Sequence, residues 1–168
     1  LEELATGDAL RGVFQGPPDV GGRFSALSLY GLLPAALIGV DLDALLGRAR
    51  EMARACRVTL AEGENPAVVL GAAMGALAAR DDGRRDKLTL VTSPRLRPFG
   101  PWVEQLIAES TGKEGKGIVP VVGERLDDPG RFGRDRLWVY MRLDGDDNAA
   151  GDAFVGALAE RDEPIVAL

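Results

Sequence analysis

A regular alternation of short strand-like runs and helix-like segments constrains the fold of this chain more than any other feature of its sequence. Apolar strands that alternate with helices are typical of a parallel sheet covered by helices on both faces. We therefore predict an α/β fold whose ligands bind beyond the carboxyl ends of the strands. The strand-like runs are residues 87–92, 117–122, 136–142 and 165–168, and helical patterns lie between them at 101–111 and 149–161.

The part of the chain before the first strand is predicted to begin irregularly and then to form helices. Turn-forming glycines and prolines make residues 1–22 an irregular lead-in. Pro34 marks a kink, or the first turn, of the next helix. Asp41 can cap the following helix, Asn65 before Pro66 is a helix-start signal, and Asn148 is expected to cap the later helix at 149–161. All 168 residues fit one domain.

Charge and residue usage argue against several classes of function. The net charge is -6 and the isoelectric point is about 4.8, whereas a nucleic-acid-binding surface is usually basic. The chain contains no histidine, which excludes Ser-His-Asp and Cys-His catalysis within it and argues against a zinc site. Cys56 is the one cysteine, so no internal disulfide can form, and this suits a reducing cytoplasm.

The ends of the chain and its longest apolar run bear on its setting in the cell. Leu1 stands in place of a start methionine, and the chain stops at Leu168 inside an apolar run, so we expect a piece of a longer chain. No charged segment leads into an apolar run in the manner of a signal peptide. The longest apolar run, residues 26–40, is too short to span a bilayer, so we expect no membrane partner.

Two segments carry the candidate chemistry, and the first of them surrounds Arg23. Gly21 and Gly22 precede this arginine, and a predicted helix begins shortly after Ser25. Glycine lets the backbone approach a ligand closely, arginine presents a permanent positive charge, and a helix start offers N–H groups to an anion. The segment is therefore a candidate anion site.

The second segment is the predicted helix at 101–111, on which Gln105 and Glu109 project together, one turn apart. Glu109 lies in the last turn, a position that suits a carboxylate meant to act as a base near neutral pH. Periodicity alone, however, favours an ordinary amphipathic helix with a solvated glutamate.

Both segments resemble signatures of the glucose-6-phosphate isomerase family. Gly-Gly-Arg-Phe-Ser at 21–25 resembles its arginine-bearing motif, and Glu-Ser-Thr-Gly-Lys at 109–113, with Gln105 four residues before the glutamate, resembles its base-bearing helix. The run 104–121 is most similar to the isomerase half of bacterial transaldolase/glucose-6-phosphate isomerase fusion proteins. The resemblance covers nearly the whole chain. It implies a sugar-isomerase (SIS) domain, a three-layer α/β/α sandwich with a parallel sheet.

The resemblance also implies an activity and a set of site residues. The family interconverts glucose 6-phosphate and fructose 6-phosphate through an enediol, and Glu109 matches the base that moves the proton between C2 and C1. Arg23 would stabilise the negative charge of the enediolate. No metal and no organic cofactor are implied. The positions that would bind the substrate are Gly22, Ser25, Gln105 and Lys113.

Other parts of the family's active site have no match in this sequence. They are the Ser/Thr-rich phosphate loop of another SIS domain, a ring-opening histidine and a C-terminal segment with a lysine. We therefore expect the isolated chain to have little or no isomerase activity. The resemblance further implies a second SIS domain in the same chain, a homodimer, and a cytoplasmic role in glycolysis and gluconeogenesis.

Three alternatives to this interpretation stay open at the level of sequence. The first is a non-catalytic SIS domain that binds a sugar phosphate, for which a base at Glu109 is not needed. The second is an isomerase for another sugar phosphate, since neither motif separates substrates sharply. The third is an unrelated nucleotide-binding fold, against which the lack of a Gly-x-Gly-x-x-Gly turn after a strand counts.

Overall fold

A computed structural model of the protein describes residues 12–57 and 65–168, which divide into two compact units, one ending at Arg54 and one beginning at Ala55. Within the predicted lead-in, residues 1–11 lie outside the described part, and 12–21 contain no helix or strand. A single domain over the whole chain remains a prediction. The helices and strands are α1 (Leu29–Leu37), α2 (Leu42–Ala55), α3 (Pro66–Ala78), β1 (Lys87–Thr92), α4 (Gly100–Thr111), β2 (Val119–Val121), β3 (Arg136–Met141), α5 (Ala149–Ala159) and β4 (Ile165–Ala167).

The first three helices begin at side chains that satisfy free backbone N–H groups. Ser28 Oγ accepts the Tyr30 N–H at 3.2 Å, and Asp41 Oδ1 accepts the Ala44 N–H at 3.0 Å. Asn65 Oδ1 accepts two N–H groups of α3, as its sequence signal predicts. Pro34 lies inside α1, beyond the first turn, where its ring removes one intrahelical hydrogen bond. Among the residues described, no helix has the length and apolar character that crossing a membrane requires.

The second unit is built on a sheet of four parallel strands in the order β2-β1-β3-β4. The two central strands pair over their full length, from Lys87 opposite Arg136 to Thr92 opposite Met141. Each has four consecutive buried residues in its middle. This burial on both faces explains why their sequences show no polar alternation.

Helices cover both faces of this sheet. On one face, Trp138 and Tyr140 pack with Phe154 and Leu158 of α5. On the other face, side chains of α3 and α4 pack against a cluster of four buried strand residues, Leu88, Leu90, Leu137 and Val139. The result is a three-layer α/β/α sandwich with a parallel sheet, and the predicted fold class is confirmed.

The edge strand β2 explains how a proline can occupy a strand of this sheet. Pro120 lies at its centre, opposite Leu88 of β1. A proline cannot donate a hydrogen bond, so it is tolerated where one side of the strand has no neighbour. The strand spans three residues, Val119–Val121, half the length predicted from the sequence.

The start of α5 departs from the sequence-based expectation that Asn148 caps it. Asn148 occupies the N-cap position, but its side chain makes no capping hydrogen bond. It instead accepts a hydrogen bond from Ser93 Oγ at 2.6 Å and donates one to the Leu143 carbonyl at 2.8 Å. The Asn148 side-chain oxygen accepts from the buried hydroxyl of Ser93, directly after β1, and not from a backbone N–H of α5. The predicted N-cap position is therefore confirmed, but the side chain does not cap the helix and instead joins the carboxyl ends of β1 and β3.

Candidate functional site

Glu109 lies at the amino ends of the strands, because α4 runs back across the sheet between two parallel strands. The helix begins soon after β1 ends and finishes before β2 starts. Its last residue, Thr111, accepts the N–H of Ile118, directly before β2. The sheet as a whole predicts ligands at the opposite, carboxyl edge. The candidate base and that general expectation therefore point to different ends of the sheet.

Gln105 and Glu109 form a hydrogen-bonded pair on the exposed face of α4. The amide Nε2 of Gln105 donates to Oε1 of Glu109 at 3.1 Å. The pair follows from their spacing, since residues four apart are neighbours on a helix surface. The role of Glu109 as a general base remains a prediction.

The turn after α4 fixes the position of Lys113. Its N–H donates to the Lys116 carbonyl at 3.0 Å, and the Lys116 N–H donates back to the Lys113 carbonyl at 2.9 Å. Glu114 and Gly115 between them have φ values of 53° and 74°, the conformation of a tight hairpin turn. The exposed side chain of Lys113 is thereby placed at the same edge of the sheet as Glu109.

Thr111 joins α4 to the chain before β2, a contact that the sequence analysis did not predict. Its hydroxyl donates to the Ile107 carbonyl at 2.8 Å and accepts the Ile118 N–H at 3.0 Å. One side chain thus joins the last turn of α4 to the chain that enters β2. The only sequence signal was a hydroxyl residue at the end of a helix, a pattern that does not reveal a partner seven residues later.

The segment around Arg23 belongs to the first unit and forms one turn of 3₁₀ helix, Gly22–Phe24. Ser25 Oγ donates to the Gly22 carbonyl at 2.7 Å, and Ser28 Oγ donates to the Ser25 carbonyl at 2.7 Å. The Arg23 guanidinium lies 5.1 Å from the centre of the Phe24 ring. Gly22, Arg23 and Ser25 are therefore brought together, with the buried Ser25 hydroxyl bracing the turn. Their roles toward a substrate remain predictions.

Comparison with known proteins gives one consistent result. No protein-family model matches the chain. It is 49% identical over 108 residues to a glucose-6-phosphate isomerase of Rubrobacter xylanophilus. The aligned segment covers 63% of this chain and 24% of that protein. It is also 43% identical over 108 residues to a glucose-6-phosphate isomerase of Heliobacterium modesticaldum. That aligned segment covers 62% of this chain and 23% of that protein.

A third relative extends the match. It is a glucose-6-phosphate isomerase of Symbiobacterium thermophilum, 39% identical over 128 residues, which are 69% of this chain and 28% of that protein. The chain spans about a quarter of the length of the curated relatives it matches. On these similarities, and with a parallel α/β/α sandwich and a Gln–Glu pair on its crossover helix, the chain belongs to the glucose-6-phosphate isomerase family.

Proposed function

We propose that this chain is part of an aldose–ketose isomerase that interconverts glucose 6-phosphate and fructose 6-phosphate through an enediol. The observation that carries the proposal is the 36–49% identity to relatives that bear the name glucose-6-phosphate isomerase. The hydrogen-bonded pair of Gln105 and Glu109 supports it, because the reaction needs a positioned carboxylate and no redox chemistry.

In the proposed mechanism, Glu109 removes the proton from C2 of the open-chain sugar and returns it to C1. The electron pair left at C2 forms the C1–C2 double bond and places the negative charge on O1, where Arg23 stabilises it; the hydroxyl proton of O2 moves to O1 before C1 is protonated. Gln105 holds the Glu109 carboxylate oxygen toward the substrate. The substrate is also contacted by Gly22, Ser25 and Lys113. No metal and no organic cofactor take part in this proposal.

We propose that residues 1–168 form one SIS domain of a longer chain. The remaining parts of the active site would lie in a second SIS domain of that chain. That domain would grip the phosphate, and a partner subunit of a homodimer would complete the site. We place the enzyme in the cytoplasm, in glycolysis and gluconeogenesis, with a transaldolase fusion as the proposed parent. The isolated chain should therefore show little or no turnover.

The test is a coupled isomerase assay on the full-length parent with two variants of the same helix. Glu109→Gln keeps the size of the side chain and its contact with Gln105 but removes the base, so kcat should fall by about three orders of magnitude or more. Glu104→Gln makes the same chemical change at an exposed position on α4 and should leave kcat within about twofold.

The outcomes separate the competing functions. A parent that isomerises the sugar while Glu109→Gln remains nearly as active would show that another carboxylate is the base. A parent that binds sugar phosphates without turnover would support a non-catalytic binding domain. Turnover of a different sugar phosphate would retain the mechanism and change the substrate.

A further inference from the structure

A cavity of about 660 Å³ lies beyond the carboxyl ends of β1 and β2. Thr92, which ends β1, and Val122, directly after β2, both line it. Its volume is typical of small-molecule sites, and this edge is where parallel sheets bind ligands. Gly100 at the start of α4 also lines it, about 14 Å along the helix axis from Glu109 at a rise of about 1.5 Å per residue. The cavity is therefore separate from the candidate base.

Two arginines at this cavity make no salt bridge with any described residue. Arg97 follows β1 and Arg125 follows β2, and both residues line the space. Within residues 12–57 and 65–168, neither guanidinium group makes a hydrogen bond or a salt bridge. An arginine presents a planar set of donors that matches a phosphate, so two unpaired guanidinium groups at one cavity favour an anionic ligand.

Three carboxylates lie in the surrounding loops, and one of them, Glu124, also lines the cavity; each makes its shortest contact with a group other than these two arginines. The pKa values of Asp127 and Asp146 are lowered, chiefly because each carboxylate accepts a backbone N–H; the charges of Arg125 and Arg97 are lesser causes. The pairs are Glu124 Oε1 with Arg136 Nη1 at 3.1 Å, Asp127 Oδ2 with Arg131 Nη1 at 3.0 Å, and Asp146 Oδ2 with the Arg95 N–H at 2.8 Å.

The start of α5 adds donors at the same place. Asn148 turns its side chain to Ser93 and Leu143, so no side chain caps the helix. Ala150 in the first turn lines the cavity. An uncapped helix start near a cavity adds a partial positive charge to that of the arginines. Apolar residues, among them Val122 and Leu126, also line the cavity.

We propose that this cavity binds a small organic molecule through a phosphate group. Arg97 and Arg125 hold the phosphate oxygens, and the apolar lining residues contact the carbon part of the ligand. The site lies at the opposite edge of the sheet from Glu109. It does not depend on the isomerase activity proposed above.

The test is hydrogen–deuterium exchange of the full-length parent, read by mass spectrometry, with inorganic phosphate and phenyl phosphate as probes. Both should slow amide exchange in residues 122–128 and 148–154. Phenyl phosphate should act at a concentration roughly tenfold lower, since it also buries apolar surface. Arg97→Gln and Arg125→Gln should each raise that concentration by about tenfold. Arg161→Gln makes the same change of charge at an exposed position outside the cavity and should behave like the parent.

Two results would overturn the proposal. One is unchanged exchange in both segments at roughly 50 mM of either probe, a concentration that saturates even a millimolar site. The other is equal protection in the parent and in a variant that carries both arginine substitutions. Protection confined to residues 105–113 would locate phosphate at the Glu109 edge instead, which refutes this site without touching the isomerase proposal.

Discussion

At the scale of single residues, Thr111 shows how one hydroxyl group can fix the end of a helix. It satisfies one carbonyl of the last turn of α4 and the N–H of Ile118, two groups that belong to different elements. Gly117 allows this close packing, since a Cβ atom there would lie 2.9 Å from the Cα of Gly112. Glu109 lies in the turn that this contact holds.

Replacing the hydroxyl tests this role directly. Thr111→Val keeps the shape of the side chain but removes both hydrogen bonds, and should lower the free energy of unfolding by about 1–3 kcal/mol. In the isomerase assay, kcat should fall roughly tenfold to a hundredfold, because small displacements of a base slow proton transfer strongly. Urea unfolding and steady-state kinetics of the full-length parent would measure both.

Thr111→Ser is the matched control, since it restores the hydroxyl group without the methyl group. It should recover most of the stability and of kcat. If the serine variant is as impaired as the valine variant, packing of the methyl group is what matters, and the hydrogen bonds are not the cause.

At the scale of elements, Asp152 joins β3 to α5. It accepts hydrogen bonds from the Tyr140 hydroxyl at 2.7 Å and from Arg142 Nε at 3.0 Å. The bonds from Arg142 and then Tyr140 hold the pKa of Asp152 below its ordinary value of 3.8. Burial, together with the bond to Asp152, raises the pKa of Tyr140 to about 12.

These shifts predict how stability depends on pH. A carboxyl with a lowered pKa stabilises the fold above about pH 4, and the effect is lost as pH falls through the lowered value. Asp152→Asn should therefore be less stable than the parent near pH 7, with the difference shrinking below about pH 4. Urea unfolding midpoints between about pH 2.5 and 7 would measure it.

Asp144→Asn serves as the control for this experiment. Its carboxylate contacts Arg142 at 2.8 Å, but the side chain is 98% exposed, so its removal should change stability little at any pH. A difference between parent and Asp152→Asn that persists unchanged at acid pH would mean that the ionised carboxylate is not the source of the stabilisation.

The elements themselves could largely be predicted from the sequence, because their signals are local. Asp41 and Asn65 start their helices as predicted, and β1 has the predicted bounds. The predictions fail where the hydrogen-bond partner of a side chain lies far away in the sequence. Asn148 was expected to cap α5, but Ser93, far away in the chain, takes its amide.

The candidate site shows the same division between local and distant signals. The pairing of Gln105 with Glu109 could be predicted because it follows from helix geometry. The meeting of Arg97 and Arg125 at one cavity could not, because it depends on β1 and β2 lying side by side in parallel. Nothing in either local sequence indicates the other arginine.

At the scale of the whole molecule, the two units differ in what they bury. The buried apolar side chains among the described residues all belong to the second unit, and all lie in β1, β3 and α5. In the first unit, α1 contains no buried residue, and Leu37 and Ile38 are 79% and 81% exposed. Exposed apolar side chains close together favour association with other surfaces.

We therefore expect the isolated 168-residue chain to associate with itself in a concentration-dependent way. Leu37→Gln with Ile38→Gln should lower the average mass measured by sedimentation velocity, because the variant removes apolar surface. The matched control is Arg50→Gln with Glu51→Gln, two exposed residues of α2 whose joint replacement also leaves the net charge unchanged. Equal association of both variants would show that these apolar residues are not the contact.

Helix α4 reaches from one edge of the sheet to the other, with Gly100 at the cavity and Glu109 at the far end. A helix is stiff along its axis, so a shift of one end moves the other. If a molecule in the cavity and a molecule at Glu109 each bind one position of this helix more tightly than another, each changes the affinity of the other by the same factor. Through the crossover helix, binding at one edge of the sheet would then be linked to binding at the other.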